Sequence, residues 1–231
     1  MPSLNEAVAP PDALVDLLRD VPVAVICDAL DLLGLPTAYV DGQVLPRVGR
    51  RIAGRAHTVG RVPIPTNATQ TDIAPALTLG VQIAIDSARA GQIIVLASGG
   101  EHDNSIWGGN MGLRAALLGV AGVVTDGALR DVDECAALGL PVFAAAINAR
   151  RSLNRMVSVS VGEPVVCGGV YIREDDIVIG DADGVVVVQP AQAEAVHARA
   201  IALIEAEENM RAYIRQGHPM VDAIKKFKNP K

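Results

Sequence analysis

The stretch from Ile93 to Ala146 constrains the fold more than any other part of the chain. Ile93 to Ala97 is a continuous apolar run, the pattern of a strand covered on both faces. A Gly99-Gly100 turn follows, and the spacing then predicts a helix from about Ser105 to Leu118, a strand over Gly122 to Thr125 and a tight Asp126-Gly127 turn. A helix of about Arg130 to Leu138 and a strand from Pro141 to Ala146 complete the run. Strand, helix, strand, helix, strand requires right-handed crossovers, so a parallel sheet is expected here and the class is α/β.

The flanks add to this core. Short helices are predicted at Leu14 to Leu18 and Ala24 to Leu33, with Pro22 at a first-turn position. Ile52 to Val62 reads as an irregular strand, 63–67 as a loop, and Pro75 to Ala90 as a helix stopped by Gly91. Val157 to Val161, Val165 to Ile172, Ile177 to Ile179 and Val185 to Val188 read as strands of a β-meander. Pro190 opens a last helix to about Gln216. The 231 residues are expected to form one domain, with 1–10 and about 219–231 as loosely held tails.

Charge and composition narrow the function. Twenty basic and 26 acidic side chains give a net charge of −6, and aromatic residues make up 3% of the chain. Nucleic-acid binding therefore lacks both its basic footprint and its stacking platforms. No apolar run is long enough to span a bilayer and no basic leader opens the chain, so a cytoplasmic protein without membrane contact is expected. Cys27, Cys135 and Cys167 lie far apart and are expected as small buried hydrophobes. A mean hydropathy of +0.32 exceeds what a monomer needs, so part of the apolar surface is expected at subunit interfaces. Neither GxxxxGK[ST], GxGxxG after a strand, GxSxG nor HExxH occurs.

Parallel sheets bind ligands at the carboxyl ends of their strands, and two such ends are polar. One carries Gly99, Gly100, Glu101, His102, Asp103, Asn104 and Ser105; the other carries Asp126, Gly127, Arg130, Asp131, Asp133 and Glu134. The two are expected to face one cleft. Gly99 and Gly100 fit an anion-binding loop of exposed amides. Gly108, Gly109 and Gly112 fall in the predicted helix, where each costs about 0.5–1 kcal/mol relative to Ala, so a close approach of backbone or ligand must offset them. For Gly112 a helix contact explains this as well as a ligand does. Asp131, a hard oxygen ligand beside open space, suits Mg²⁺ or Mn²⁺, and Arg130 offers a planar fork to a carboxylate or keto oxygen. Metal, arginine and amides together describe a site for a small α-keto acid.

Gly109, twenty intervening residues, Arg130-Asp131, two residues and Glu134, with Gly122 to Gly127, Asp28-Ala29-Leu30 and Gly180 to Val185, resemble the 4-hydroxy-4-methyl-2-oxoglutarate aldolase family, which is shared with the regulator of ribonuclease activity A. The resemblance covers about residues 20–215. It implies a layered α/β/β/α sandwich with a βαβαβ core, related to swivelling phosphohistidine domains, and trimers or hexamers with active sites between subunits. It also implies a metal-dependent lyase that releases pyruvate from 4-hydroxy-2-oxo acids, with oxaloacetate decarboxylation as a second activity. By position, Asp131 would hold the Mg²⁺ or Mn²⁺ ion, Arg130 would clamp the substrate, and amides of the 99–105 loop would bind its carboxylate, with Gly100, Glu101, His102, Asp103, Asn104 and Ser105 lining the site. Glu101 would hold waters of the metal shell, Asn67 is a weaker match to a loop asparagine, and Glu207, ahead of Glu208 and Glu205, would reach a neighbouring subunit's site. The alternative within the same family is a non-catalytic regulator that binds an endoribonuclease. Methyl transfer to a quinone has little support, since no glycine-rich nucleotide loop is present.

Overall fold

The computed structural model describes residues 9–40, 43–64, 67 and 79–227. Its main sheet has the strand order β1-β12-β11-β3-β4-β6-β7-β2, with β5 added to β6 and β8 to β3. The strands are β1 Tyr39–Val40, β2 Leu45–Val48, β3 Ile52–Pro63, β4 Gln92–Ala97, β5 Ser105–Trp107, β6 Gly122–Leu129, β7 Val142–Ile147, β8 Met156–Val161, β11 Ile177–Asp181 and β12 Gly184–Val188. A separate hairpin joins β9 Val165–Cys167 to β10 Val170–Ile172. The helices are α1 Ala13–Leu18, α2 Val23–Leu32, α3 Gly80–Ser87, α4 Gly109–Leu117, α5 Val132–Ala137, α6 Ala193–Arg215 and α7 Met220–Phe227.

The parallel core is as expected and gains a strand: β3, β4, β6 and β7 run side by side. Alternation along each strand sets the layers. Ile94 and Leu96 of β4 face outward onto Val81, Ile85, Ala115 and Cys135 of α3, α4 and α5. Ile93 and Val95 face inward, with Val124 and Phe143, onto Val165, Cys167, Val178, Val185 and Val187. On the far side Ile177, Ile179, Val186 and Val188 turn outward onto Leu18, Ile26, Leu30, Val196 and Ala200 of α1, α2 and α6. The result is four layers, with helices outside and the two halves of the one folded sheet packed between them. Both faces of β4 and β12 are buried, which is why their sequences read as unbroken apolar runs.

Several expectations need correction. The segment 157–188 is not a meander. The twelve-residue β3 offers two partners an edge, β11 along Ile52–Arg55 and β8 along Val59–Pro63, so β8 leaves the sequence neighbours it was expected to join. The strand predicted over Val165 to Ile172 is broken by Gly168 and Gly169, both at positive φ, into the β9–β10 hairpin. The helix predicted from Ser105 begins only at Gly109, because Ser105–Trp107 is drawn into the sheet beside Ala128 and Leu129. Asp126-Gly127 is no tight turn: β6 runs on through a bulge to Leu129. Of the helix predicted over Pro75 to Ala90, α3 covers Gly80–Ser87, and 75–78 lie outside the described residues. The tail expected after residue 218 instead contains α7, where Ala223 is buried and Phe227 meets the Tyr213 ring edge-on.

Candidate active site

Arg130 leaves β6 with its amide donating to Trp107 O at 3.0 Å, and the chain then turns sharply into α5. Asp131 makes that turn at φ 54°, ψ 44°, a left-handed conformation that a non-glycine residue adopts only at some cost in strain. Its carboxylate is fixed on one side: Oδ2 accepts from Gly109 N at 3.0 Å and lies 3.4 Å from Arg130 Nε. No donor is directed at Oδ1 among the described residues. The side chains are partly open to solvent, 38% for Arg130 and 32% for Asp131.

Gly108 and Gly109 belong to this arrangement and not to a helix interior. A Cβ on Gly108 would stand 2.7 Å from Asp131 Oδ2 and 3.0 Å from Arg130 Nε; one on Gly109 would collide with the Glu134 carboxylate. The missing side chains leave room for three charged groups. Gly112 has the other explanation: a Cβ there would stand 3.3 Å from Leu138 Cδ1 and 3.5 Å from Cys135 Sγ, which marks a close approach of α4 to α5.

The α4 N-terminus opens beside this cluster, with Gly108 as a cap that offers no side chain. The amides of Asn110 and Met111 have no acceptor among the described residues, as is usual for the first turn of an uncapped helix. Met111, Arg130, Ser105, Arg61, Arg151 and Ser152 share a cleft of about 250 Å³. Burial pulls Arg61 down to about 10, which leaves it a cation at neutral pH. Exposed amides and three guanidiniums make this a site for an anion.

The glycine-rich loop mostly goes elsewhere. Asp126, only 6% exposed, takes up its donors: Ser98 N at 2.6 Å and Ser98 Oγ at 2.9 Å reach Oδ1, and Gly100 N at 3.2 Å and Gly168 N at 3.4 Å reach Oδ2. The amide of Gly100, expected to hold a substrate carboxylate, holds Asp126 instead. Glu101 folds back on its own loop, accepting from Asp103 N at 2.7 Å and Asn104 Nδ2 at 3.2 Å. His102 Nε2 bonds Asp126 O at 3.1 Å and lines a second cleft, of about 350 Å³, with Gly99 and Gly100. Asp103 is exposed, Asn104 is buried, and Ser105 alone of the loop reaches the Arg130 cleft. The expected single cleft is thus two. Because β6 continues past its bulge, Asp126 and Arg130 stand four extended residues apart, about 13 Å along the strand.

Asn67 is exposed and makes none of the contacts seen in the site. Glu207 and Glu208 pair with Arg211 at 2.8 and 3.0 Å on α6, in the opposite helical layer, and Glu205 is exposed. Among the described residues no three His, Cys, Asp or Glu side chains converge on a metal-sized site. Asp131 therefore fits a hard divalent ion only as a single carboxylate ligand, with water and ligand oxygens completing the shell, the mode usual for Mg²⁺. Arg61, Arg151, Ser152 and the α4 amides were missed from sequence. Arg61 had a signal, as the one cation inside an otherwise apolar strand end; the others become visible only once β5 and β8 are placed.

Fold and site together define the class: an α/β protein with an arginine-rich cleft at the carboxyl ends of parallel strands. A family model described as "RraA-like: Aldolase/RraA" matches residues 23–187, and the chain belongs to that family. It is 32% identical over 176 residues, 76% of each chain, to a protein of Halalkalibacterium halodurans named "Putative 4-hydroxy-4-methyl-2-oxoglutarate aldolase". An uncharacterised protein from Pseudomonas syringae pv. tomato shares the fold with a TM-score of 0.76 at 27% identity, covering 94% of this chain and 99% of that one. Streptomyces coelicolor RraAS2, described as an unusual member of the RNase ES inhibitor RraA family, does so with a TM-score of 0.74 at 25% identity, covering 89% and 98%.

Proposed function

We propose that the protein is a divalent-metal-dependent lyase, a class II aldolase that releases pyruvate from a 4-hydroxy-2-oxo acid such as 4-hydroxy-4-methyl-2-oxoglutarate, with oxaloacetate decarboxylation as a second activity. The observation that carries the reading is the open oxygen of Asp131 beside Arg130 and the α4 N-terminus. Arg130 and the amides of Asn110 and Met111 bind the carboxylate of the 2-oxo acid end and orient it. Asp131 would hold Mg²⁺ or Mn²⁺, which supplies positive charge for the pyruvate enolate that both reactions leave. Retro-aldol cleavage also needs an acceptor for the C4 hydroxyl proton. Glu134, whose carboxylate sits against Gly109, is the group this chain itself offers. Glu207, paired with Arg211 in the opposite helical layer, would act only on a neighbour's cleft in a trimer or hexamer.

Pyruvate release from either substrate, measured with and without Mg²⁺ and after EDTA, tests this. Metal-dependent release is expected. Asp131→Ala should lower turnover by at least about 100-fold, and Arg130→Ala should raise KM and lower kcat together. Release that ignores EDTA, or none at all, rejects the reading. The description of the Streptomyces coelicolor neighbour favours a second reading, a regulator that binds an endoribonuclease, and capture of such an enzyme by a lyase-inactive protein would select it.

A further inference from the structure

The turn that joins β10 to β11 carries a carboxylate with one oxygen unused. The turn is pinned to β3, with the Ala56 amide donating to Asp176 O at 2.8 Å and the Asp175 amide to Ala56 O at 3.0 Å. Asp176 is 4% exposed and lines a cleft of about 320 Å³ between the 36–38 segment, β10 and β12. Its Oδ2 accepts from Arg173 N at 2.9 Å; among the described residues Oδ1 meets no donor, and no cation pairs with either oxygen. Burial pushes this carboxyl above its ordinary range, the mark of an anion short of positive charge. Arg173 lines the same cleft, and its guanidinium lies over the Tyr171 ring, 4.9 Å from the centroid, with no carboxylate paired to it among the described residues. Tyr171, Ala38, Val170 and Val187 give the cleft an apolar wall.

One anion and one cation held unpaired in a single cleft are complementary to a ligand that carries both charges itself. We infer that this cleft binds a zwitterionic α-amino acid with a large apolar side chain, its ammonium against Asp176 Oδ1, its carboxylate against the Arg173 guanidinium and its side chain along the wall that Tyr171 begins. A simple amine would answer Asp176 and leave Arg173 unanswered, and a monocarboxylate would do the reverse. The guanidinium can take a carboxylate through two parallel N–H donors, which fixes the orientation of the ligand as well as its charge. The cleft shares no lining residue with the one that holds Arg130, so the inference stands whether or not the protein is a lyase.

Calorimetry on the full chain tests it with L-phenylalanine, L-leucine and two analogues of phenylalanine that each keep one charge, phenethylamine and 3-phenylpropanoate. The expected result is that at least one of the two amino acids binds, and that phenylalanine binds at least tenfold more tightly than either analogue. Asp176→Asn removes the charge but keeps an oxygen to accept from Arg173 N, and it should weaken amino-acid binding at least tenfold. Because Asp176 is buried, the fold of that variant is checked by circular dichroism; Arg173→Gln, at an exposed position, should weaken binding by a similar factor and carries the test by itself if the other fails to fold. No binding of either amino acid at millimolar concentration, an analogue bound as tightly as phenylalanine, or an affinity that survives Arg173→Gln overturns the proposal.

Discussion

At the scale of the residue, the candidate site depends on what two glycines leave out. Gly108→Ala places a methyl group within 2.7 Å of Asp131 Oδ2, between that carboxylate and the Arg130 guanidinium. Both are partly exposed and can swing aside, so the fold should survive while the geometry does not. The expected outcome is a loss of pyruvate release of tenfold or more with a melting temperature within a few degrees of the parent. The cysteines behave oppositely, as packing residues. Burial first, then nearby carboxylates, push Cys27 and Cys135 up to about 11, and burial holds Cys167 well above the ordinary thiol range. At pH 8 about one thiol in a thousand is ionised at such values. A disulfide reagent should therefore react slowly with the native protein and quickly, at all three positions, in denaturant.

At the scale of the element, the parallel core was legible because β4, β6 and β7 announce themselves as buried apolar runs set between helical patterns. What escaped was governed by contacts distant in sequence. Ser105-Ile106-Trp107 reads as the start of a helix, and only the bulge that carries β6 on to Leu129 gives it a strand to join. The same bulge separates Asp126 from Arg130 and so divides the expected site. Arg130, Asp131 and Gly109 were legible because their spacing is a motif; Arg61 was not, because what marks it is burial with no carboxylate partner among the described residues, which no spacing shows. Strand contacts also predict stability. A Cβ at Gly54 would stand 2.3 Å from the Gly91 carbonyl oxygen, and a backbone atom between two strands cannot give way as a flexible side chain can. Gly54→Ala should cost about 1–3 kcal/mol or more in urea unfolding. Gly112→Ala, facing side chains at 3.3 and 3.5 Å, should cost less.

At the scale of the whole molecule, two carboxylates tie β3 to distant segments and set the response to pH. Burial alone would raise Glu174, but hydrogen bonds from His57 and from the amide and hydroxyl of Thr58 outweigh it and hold it below the ordinary range. The Arg55 guanidinium likewise holds Asp12 low. A depressed acid contributes stability above its unfolded pKa of about 4, lost as pH falls through the folded value. The melting temperature should therefore fall on acidification below about pH 4.5, and Glu174→Gln should flatten that fall while lowering stability at neutral pH.

On the proposed function, Asp131 would anchor a divalent cation for a 2-oxo acid held by Arg130. A crystal grown with Mn²⁺ and oxalate, an unreactive two-carboxylate ligand, tests it most directly through anomalous scattering. A manganese peak is expected about 2.0–2.3 Å from Asp131 Oδ1, with oxalate oxygens completing its shell and Arg130 against the oxalate. An Asp131 carboxylate bare of metal at saturating Mn²⁺, or manganese bound away from it, would rule out Asp131 as the metal ligand.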